Sequence, residues 1–247
     1  MIFFAAFLGL WSSGVCQPAE EDIFQKNEME HYLLIAKIVA VRKNFIGGKT
    51  GPWLISLNDG KVARRGLFKH IRRPRPAPLP DSYQYEMAAY ELDKLLDFNL
   101  VPPVVERVIE GRKGSLQLFL EGCITERDRK RMNLAPPDAK SFQNSLDELR
   151  IFENLVFNKC ANTEDTYINK KTWKVCRVDF SEAFAPSSDL LPDCEISDGS
   201  EKIFRNLQGL DPEAVRAKLS PYLNGEEIKA LLDRKDKIIE KIRGLQK

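Results

Sequence analysis

This 247-residue chain has only two histidines, His31 and His70, and none of its five cysteines stands in a Cys-x-x-Cys pair. Small zinc modules are built from such pairs and from closely spaced histidines, so a zinc site is not expected. A charge excess is missing too: 38 basic residues meet 36 acidic ones, for a net +2. General nucleic-acid binders carry a basic surplus, so that class is not expected either. No apolar run approaches the ~20 residues that a membrane-spanning helix needs, and no internal repeat is visible. What remains is ordinary for a soluble globular protein, with 43% hydrophobic and 30% charged residues. The chain is long enough to bury a sizeable core, as one domain or as two lobes.

The N-terminus, "MIFFAAFLGLWSSGVCQPAEED", opens on ten apolar or small residues, passes through small ones and turns acidic. That is the pattern of a secretory signal peptide, although no Lys or Arg precedes the apolar part. We read residues 1–16 as the signal and 17–30 as a polar, acidic linker. Two other readings stay open: a lipid anchor on Cys16, whose "SGVC" lacks the usual Leu-small-small approach, and an uncleaved, buried N-terminal segment. Export would place the mature chain in the periplasm or outside the cell, with no transmembrane helix. Cys123, Cys160, Cys176 and Cys194 then form an even set that allows up to two disulfides in three full pairings.

Along the chain, "HYLLIAKIVAVRK" (31–43) suits a first strand or short helix. "WLISL" and "KVARRGLFKHI" flank Asn58-Asp59-Gly60, a turn signal between two strands. "RRPRPAPLPD" (72–81) cannot be a helix interior and leads to an N-cap at Asp81 or Ser82. Tyr85, Ala88, Ala89, Leu92, Leu95 and Leu96 then recur at helical spacing, ending near residues 97–99. Two strand-like runs follow, separated by residues 110–113, and residues 126–140 form a charged, proline-containing excursion. Phe142, Leu146, Leu149, Phe152 and Val156 mark a second amphipathic helix. "TYIN" and "WKVCRVDF" read as short strands on either side of residues 170–172. The tail is helical, with Asp211-Pro212 as N-cap and first position, and Asn224 with Glu227 as a capping box. This order predicts an α+β protein of two lobes, divided near residues 109–122.

"NKCANTED" (158–165) follows the second amphipathic helix, and its spacing suits phosphoryl transfer. That chemistry wants a strand Lys on the phosphates, a helix Glu to pin it, and a loop acid near the nucleophile. An Asn five residues after the acid and an Asp on a later strand end hold Mg²⁺. Lys69, Glu86, position 160, position 165 and Asp179 have this order and spacing. Two side chains depart from it: Cys160 stands where the acid belongs, and Asp165 where the Asn belongs. Plainer roles exist for each residue. Asp179 would be a turn residue at a strand end, and Glu86 a carboxylate favoured by the start of its helix. Cys160 would be an inert thiol, a disulfide half (with Cys176, across the hairpin, as one imaginable partner) or a nucleophile, although no histidine stands near to activate it. "GGKTG" (47–51) is a weak glycine-rich turn and no Walker-type loop. Arg64, Arg65, Lys69, His70, Arg72, Arg73 and Arg75 could meet a polyanion, or simply form a solvated edge.

The stretch "SYQYEMAAYELDKLLDFNLVPPVVERVIEGRKGSLQLFLEG" resembles the centre of a bacterial group of kinase-like proteins. That group is related to the phosphatidylinositol 3-/4-kinase-like and secreted Fam20-like kinases. "IFENLVFNKCANTED" and "CRVDFSEAF" are similar to its catalytic loop and metal-binding strand, and "EEIKALLDRKDKIIEKI" to the tail of an exported branch. The resemblance covers roughly residues 31–243. It implies a bilobal protein-kinase-like fold, with a strand-rich N-lobe at about 31–108 and a helical C-lobe at about 122–243. ATP and Mg²⁺ are the implied cofactors. Lys69 would meet the phosphates, Glu86 would pair with it, and Asp165 and Asp179 would hold the metal. Cys160 falls on the catalytic Asp, and Ala161 on its neighbouring Arg. Three readings follow: an exported, degenerate kinase-like protein that binds a protein partner, with weak or absent nucleotide binding; an active Mg-ATP phosphotransferase; or a disulfide-held envelope scaffold, for which bridges across the cleft are expected.

Overall fold

A computed structural model describes residues 26–45, 51–197 and 201–247. The signal peptide, most of the linker and all but the last residue of "GGKTG" lie outside these residues. The expected linker is corrected at its end: residues 26–30 are helical and open α1 (Lys26–Ile35). Lys26 is fixed there by the buried carboxylate of Asp93, 2.6 Å away.

The N-lobe is an antiparallel sheet in the order β1 (Lys37–Arg42), β2 (Trp53–Asn58), β3 (Ala63–Lys69), β7 (Arg112–Leu118), β6 (Val104–Ile109). β7 pairs with β3 and β6, so the lobe extends past the expected residue 108, through Leu118. Side chains alternate across a strand with period two, and the two faces here have different covers. Trp53, Ile55, Leu57, Phe68, Leu116 and Leu118 face Met29, Tyr32 and Leu33 of α1 and form one core. The other face carries Lys69, Ser115, Gln117 and Val104, in register across β3, β7 and β6. α2 (Tyr83–Leu96) lies on that side, and Val104 joins its core.

Between β3 and α2, the proline-rich segment makes one short pairing, β4 (Arg72–Arg73) with β5 (Asp81–Ser82). Ser82 is the N-cap of α2, its hydroxyl accepting from the Gln84 N–H, as expected from the sequence. The C-lobe begins at β8 (Cys123–Thr125), which pairs with β9 (Thr166–Asn169); β10 (Val175–Arg177) completes that sheet. Within the expected excursion, residues 126–131 instead form α3 (Glu126–Arg131), capped by Thr125 and laced by Arg129–Glu126 and Arg131–Asp128 pairs. α4 (Ala139–Val156), α5 (Glu201–Gln208), α6 (Pro212–Leu219) and α7 (Gly225–Leu245) surround Phe152, Phe180 and Phe184, all fully buried. The Asn224–Glu227 capping box opens α7. Glu227 also accepts from the Tyr85 hydroxyl at 2.7 Å, tying α2 to α7. Among the described residues, no helix is long and apolar enough to cross a membrane.

Candidate functional site

Lys69, the last residue of β3, reaches from the sheet toward α2 and the C-lobe. Its ammonium is paired with the Glu86 carboxylate in the first turn of α2, and lies 2.6 Å from Asp179 Oδ1 just beyond β10. The structure therefore brings together three of the residues singled out by sequence, from three separate elements. Ser181 Oγ lies 3.3 Å from the same Asp179 oxygen. Burial alone would lower the Lys69 pKa, but the Glu86 and Asp179 carboxylates outweigh it and raise it, so the lysine stays charged. Burial pushes the Glu86 carboxyl up, against the pull of Lys69. The Lys69 charge holds Asp179 below the usual carboxylate range. The Asp179 side chain is 46% exposed, whereas that of Glu86 is buried.

The loop after α4 is another matter. Cys160 is bonded to Cys194, with Cα atoms 5.6 Å apart. The imagined Cys160–Cys176 bridge is corrected: Cys176 is a buried free thiol beside the Tyr167 carbonyl. Cys123 and Cys176 lie on β8 and β10, the strands flanking β9, and are not bonded. Burial raises both thiols, Cys123 to about 11 and Cys176 well above its ordinary value, so neither is an activated nucleophile.

One oxygen of Asp165 is already engaged. Its carboxylate takes the Asn162 amide and lies 3.2 Å from Nη1 of Arg177. Arg177 is fully buried, and its Nε is 3.1 Å from Glu153 Oε1. These are charge contacts; the guanidinium nitrogens meet no partner at hydrogen-bonding angles. Burial raises Glu153 to about 6, while Arg177 and the Ala161 N–H pull the other way. A hard cation takes oxygen ligands; Asp179 offers a half-exposed carboxylate, whereas the Asp165 carboxylate already faces the Arg177 guanidinium. Among the described residues, the one group of three metal-ligating side chains within reach of a shared ion is Glu153, Cys160 and Cys194. Its two sulfurs are already bonded to each other.

Left-handed backbone occurs here as it does elsewhere along the described residues, and Phe157 is simply the C-cap of α4. Ala161, Asp179 and Phe184 have φ between 48° and 65°, a region that non-glycine residues seldom adopt. The basic set is dispersed. Arg65 pairs with Glu121, Arg72 with Gln84, and Arg75 with the carbonyls of Glu182 and Ala183. His70 stacks on Phe68. Sequence reasoning missed Glu153 and Arg177. The available signals were a charged residue inside each of two apolar runs, "IFENLVF" and "VCRVDF".

No protein-family model matches the chain. The crystal structure of CtkA, a proinflammatory kinase of Helicobacter pylori, superposes with a TM-score of 0.55 at 10% identity, covering 85% of this chain and 94% of that one. The shared features are those of fold, an N-terminal antiparallel sheet and a helical C-terminal part, and the fold is kinase-like. CtTel1 in its open conformation superposes at 0.46 with 11% identity, over 84% of this chain and 12% of that one, too low a score to carry a conclusion. In sequence, the uncharacterized protein MJ1475 of Methanocaldococcus jannaschii is 32% identical over 90 residues, which are 35% of this chain and 72% of that protein. By that match the chain belongs to the same family as MJ1475.

Proposed function

We propose that this chain is an exported pseudokinase: it binds a magnesium–nucleotide in the cleft, transfers no phosphoryl group, and acts by engaging a protein partner. One observation carries the reading. Lys69, Glu86 and Asp179 remain assembled, while the position that should hold the loop acid is a half-cystine, bonded to Cys194. A disulfide sulfur can neither take up a proton nor orient a hydroxyl nucleophile. Asp179 would hold the Mg²⁺ that accompanies a bound nucleotide, an ion that would offset the phosphates' charge. The disulfide also supports an oxidising compartment, and with it export. An envelope scaffold fits less well, because Cys160 and Cys194 both lie in the C-lobe and their bond does not cross the cleft.

The test is the melting temperature of the oxidised protein with ATP, with and without Mg²⁺, alongside release of labelled γ-phosphate. A ligand that binds only the folded state must raise stability. The expected result is a Mg²⁺-dependent rise, lost in Asp179→Ala, with no phosphate transferred to protein, lipid or water. No rise at millimolar nucleotide would refute the nucleotide half of the reading. Turnover would refute the pseudokinase half and restore the active phosphotransferase, since positioning and electrostatics carry much of this chemistry.

A further inference from the structure

Gln117 is 7% exposed, and its Nε2 has no hydrogen-bond partner. A buried donor left unpaired is costly and uncommon. Its surroundings say what would complete it. Leu54 pairs with Leu67, Leu67 with Gln117, and Gln117 with Val104, so these four form one row across β2, β3, β7 and β6. Directly paired residues share a face, which makes this the face that carries Lys69, about 7 Å further along β3. Leu54 and Leu67 belong to neither hydrophobic core. Val104 is packed into the α2 core, so Leu54 and Leu67 are the apolar strip left over on this face, with one unsatisfied carboxamide at its edge, one strand repeat from the lysine proposed to meet the phosphates.

We propose that Gln117 reads the base of the bound nucleotide and selects adenine over guanine, an inference that rests on the nucleotide reading above. A carboxamide offers one donor and one acceptor side by side. Adenine presents the complement, the N7 acceptor beside the N6 amino donor; guanine presents two acceptors, N7 and O6, and sets its O6 against the amide oxygen. Leu54 and Leu67, on the β3 side, would supply an apolar surface for the ring but cannot tell one purine from the other.

The experiment measures Mg-ATP and Mg-GTP affinity by melting shift for the wild type, Gln117→Leu and Gln117→Met. The wild type should prefer ATP by about 10-fold or more, the scale of one bidentate pair. Both variants should bring the ratio close to one. Both should also melt higher without ligand, because the unpaired buried donor is gone. An ATP preference that survives in both variants would overturn this inference and leave the nucleotide reading standing. Variants that melt lower and lose both nucleotides alike would make Gln117 a structural residue and overturn it too. Failure of any purine nucleotide to bind the wild type would overturn both.

Discussion

Lys69→Met tests the centre of the site through stability alone, without assuming a ligand. Glu86 is the member most exposed to the loss: its side chain is 3% accessible, and Lys69 is its cationic partner. Removing one side of a buried pair leaves an uncompensated charge and costs about 3–5 kcal/mol. The Asp179 contact adds about 0–1 kcal/mol at most, because that carboxylate is half exposed. In a chain of this size, a total of about 4 kcal/mol is a fall of roughly 8–16 °C in melting temperature. Glu86→Gln should cost less, about 1–2 kcal/mol, because Lys69 keeps Asp179. The double variant should recover about 2 kcal/mol relative to the sum of the singles. The pH dependence gives an independent check. Without Lys69, the folded-state pKa of Glu86 stands further above its unfolded value, so the folded state holds the proton more tightly. Lys69→Met should therefore regain stability as pH falls from 7 toward the unfolded value, near 4.3, and lose it as pH rises. Urea titrations at pH 5 and pH 7 measure both effects. A single variant within 1 kcal/mol of wild type, additive with Glu86→Gln and indifferent to pH, would refute the reasoning.

Two further outcomes follow from the loop. Cys160 and Cys194 are 34 residues apart, and a closed loop of that length restricts the unfolded chain by about 4 kcal/mol. Cys160→Ser/Cys194→Ser should melt roughly 8–16 °C lower, and the wild type in excess dithiol should match it; equal melting of oxidised and reduced protein would count against a structural bond. Glu153, raised from 4.5 to about 6 by burial, binds its proton more tightly when folded. Its contribution, present below pH 4.5, is lost as pH rises to 6, which is about 2 kcal/mol. Glu153→Gln should flatten that part of the stability–pH curve, and an unchanged slope would place the proton elsewhere.

Much of the frame could be read from local rules. Asn58-Asp59-Gly60 marked the β2–β3 turn, Ser82 and Asn224 the helix starts, and the spacing of Tyr85, Ala88 and Leu92 the buried side of α2. Those features depend on neighbours in sequence. The misses depend on distant partners. Residues 126–131 read as a charged excursion because α3 has no apolar stripe; side-chain pairs and the Thr125 cap hold it. Arg177 and Glu153 looked like interruptions of apolar segments, and only the packing of α4 against β10 turns them into a buried pair. Nor could cysteine spacing select Cys194 over Cys176, since that choice depends on where the chain after Phe184 returns. Lys69, Glu86 and Asp179 could be named singly, because each ends or begins an element; their meeting is a fact of the fold.

The charges at the site bear on how the proposed nucleotide would enter it. Two cations are each shared by two carboxylates: Lys69 by Glu86 and Asp179, and Arg177 by Glu153 and Asp165. With all four acids ionised, the group carries a net charge of −2 before any ligand arrives. Lys69 cannot serve a phosphate without loosening its hold on Asp179, which would leave a half-exposed carboxylate facing an incoming polyanion. A free triphosphate would be repelled from such a site, while one that brings a divalent cation offers Asp179 a replacement for the lysine it gives up. The Mg²⁺ dependence of binding is therefore the sharper half of the nucleotide test. ATP that stabilised the protein equally with a chelator present would mean that it binds away from Asp179. Arg177 works in the opposite direction at Asp165, supplying from within the protein a positive charge where the resemblance implies a metal. On the proposed reading, the site would take one cation at its open carboxylate, Asp179, while Arg177 offsets the charge of the second, Asp165.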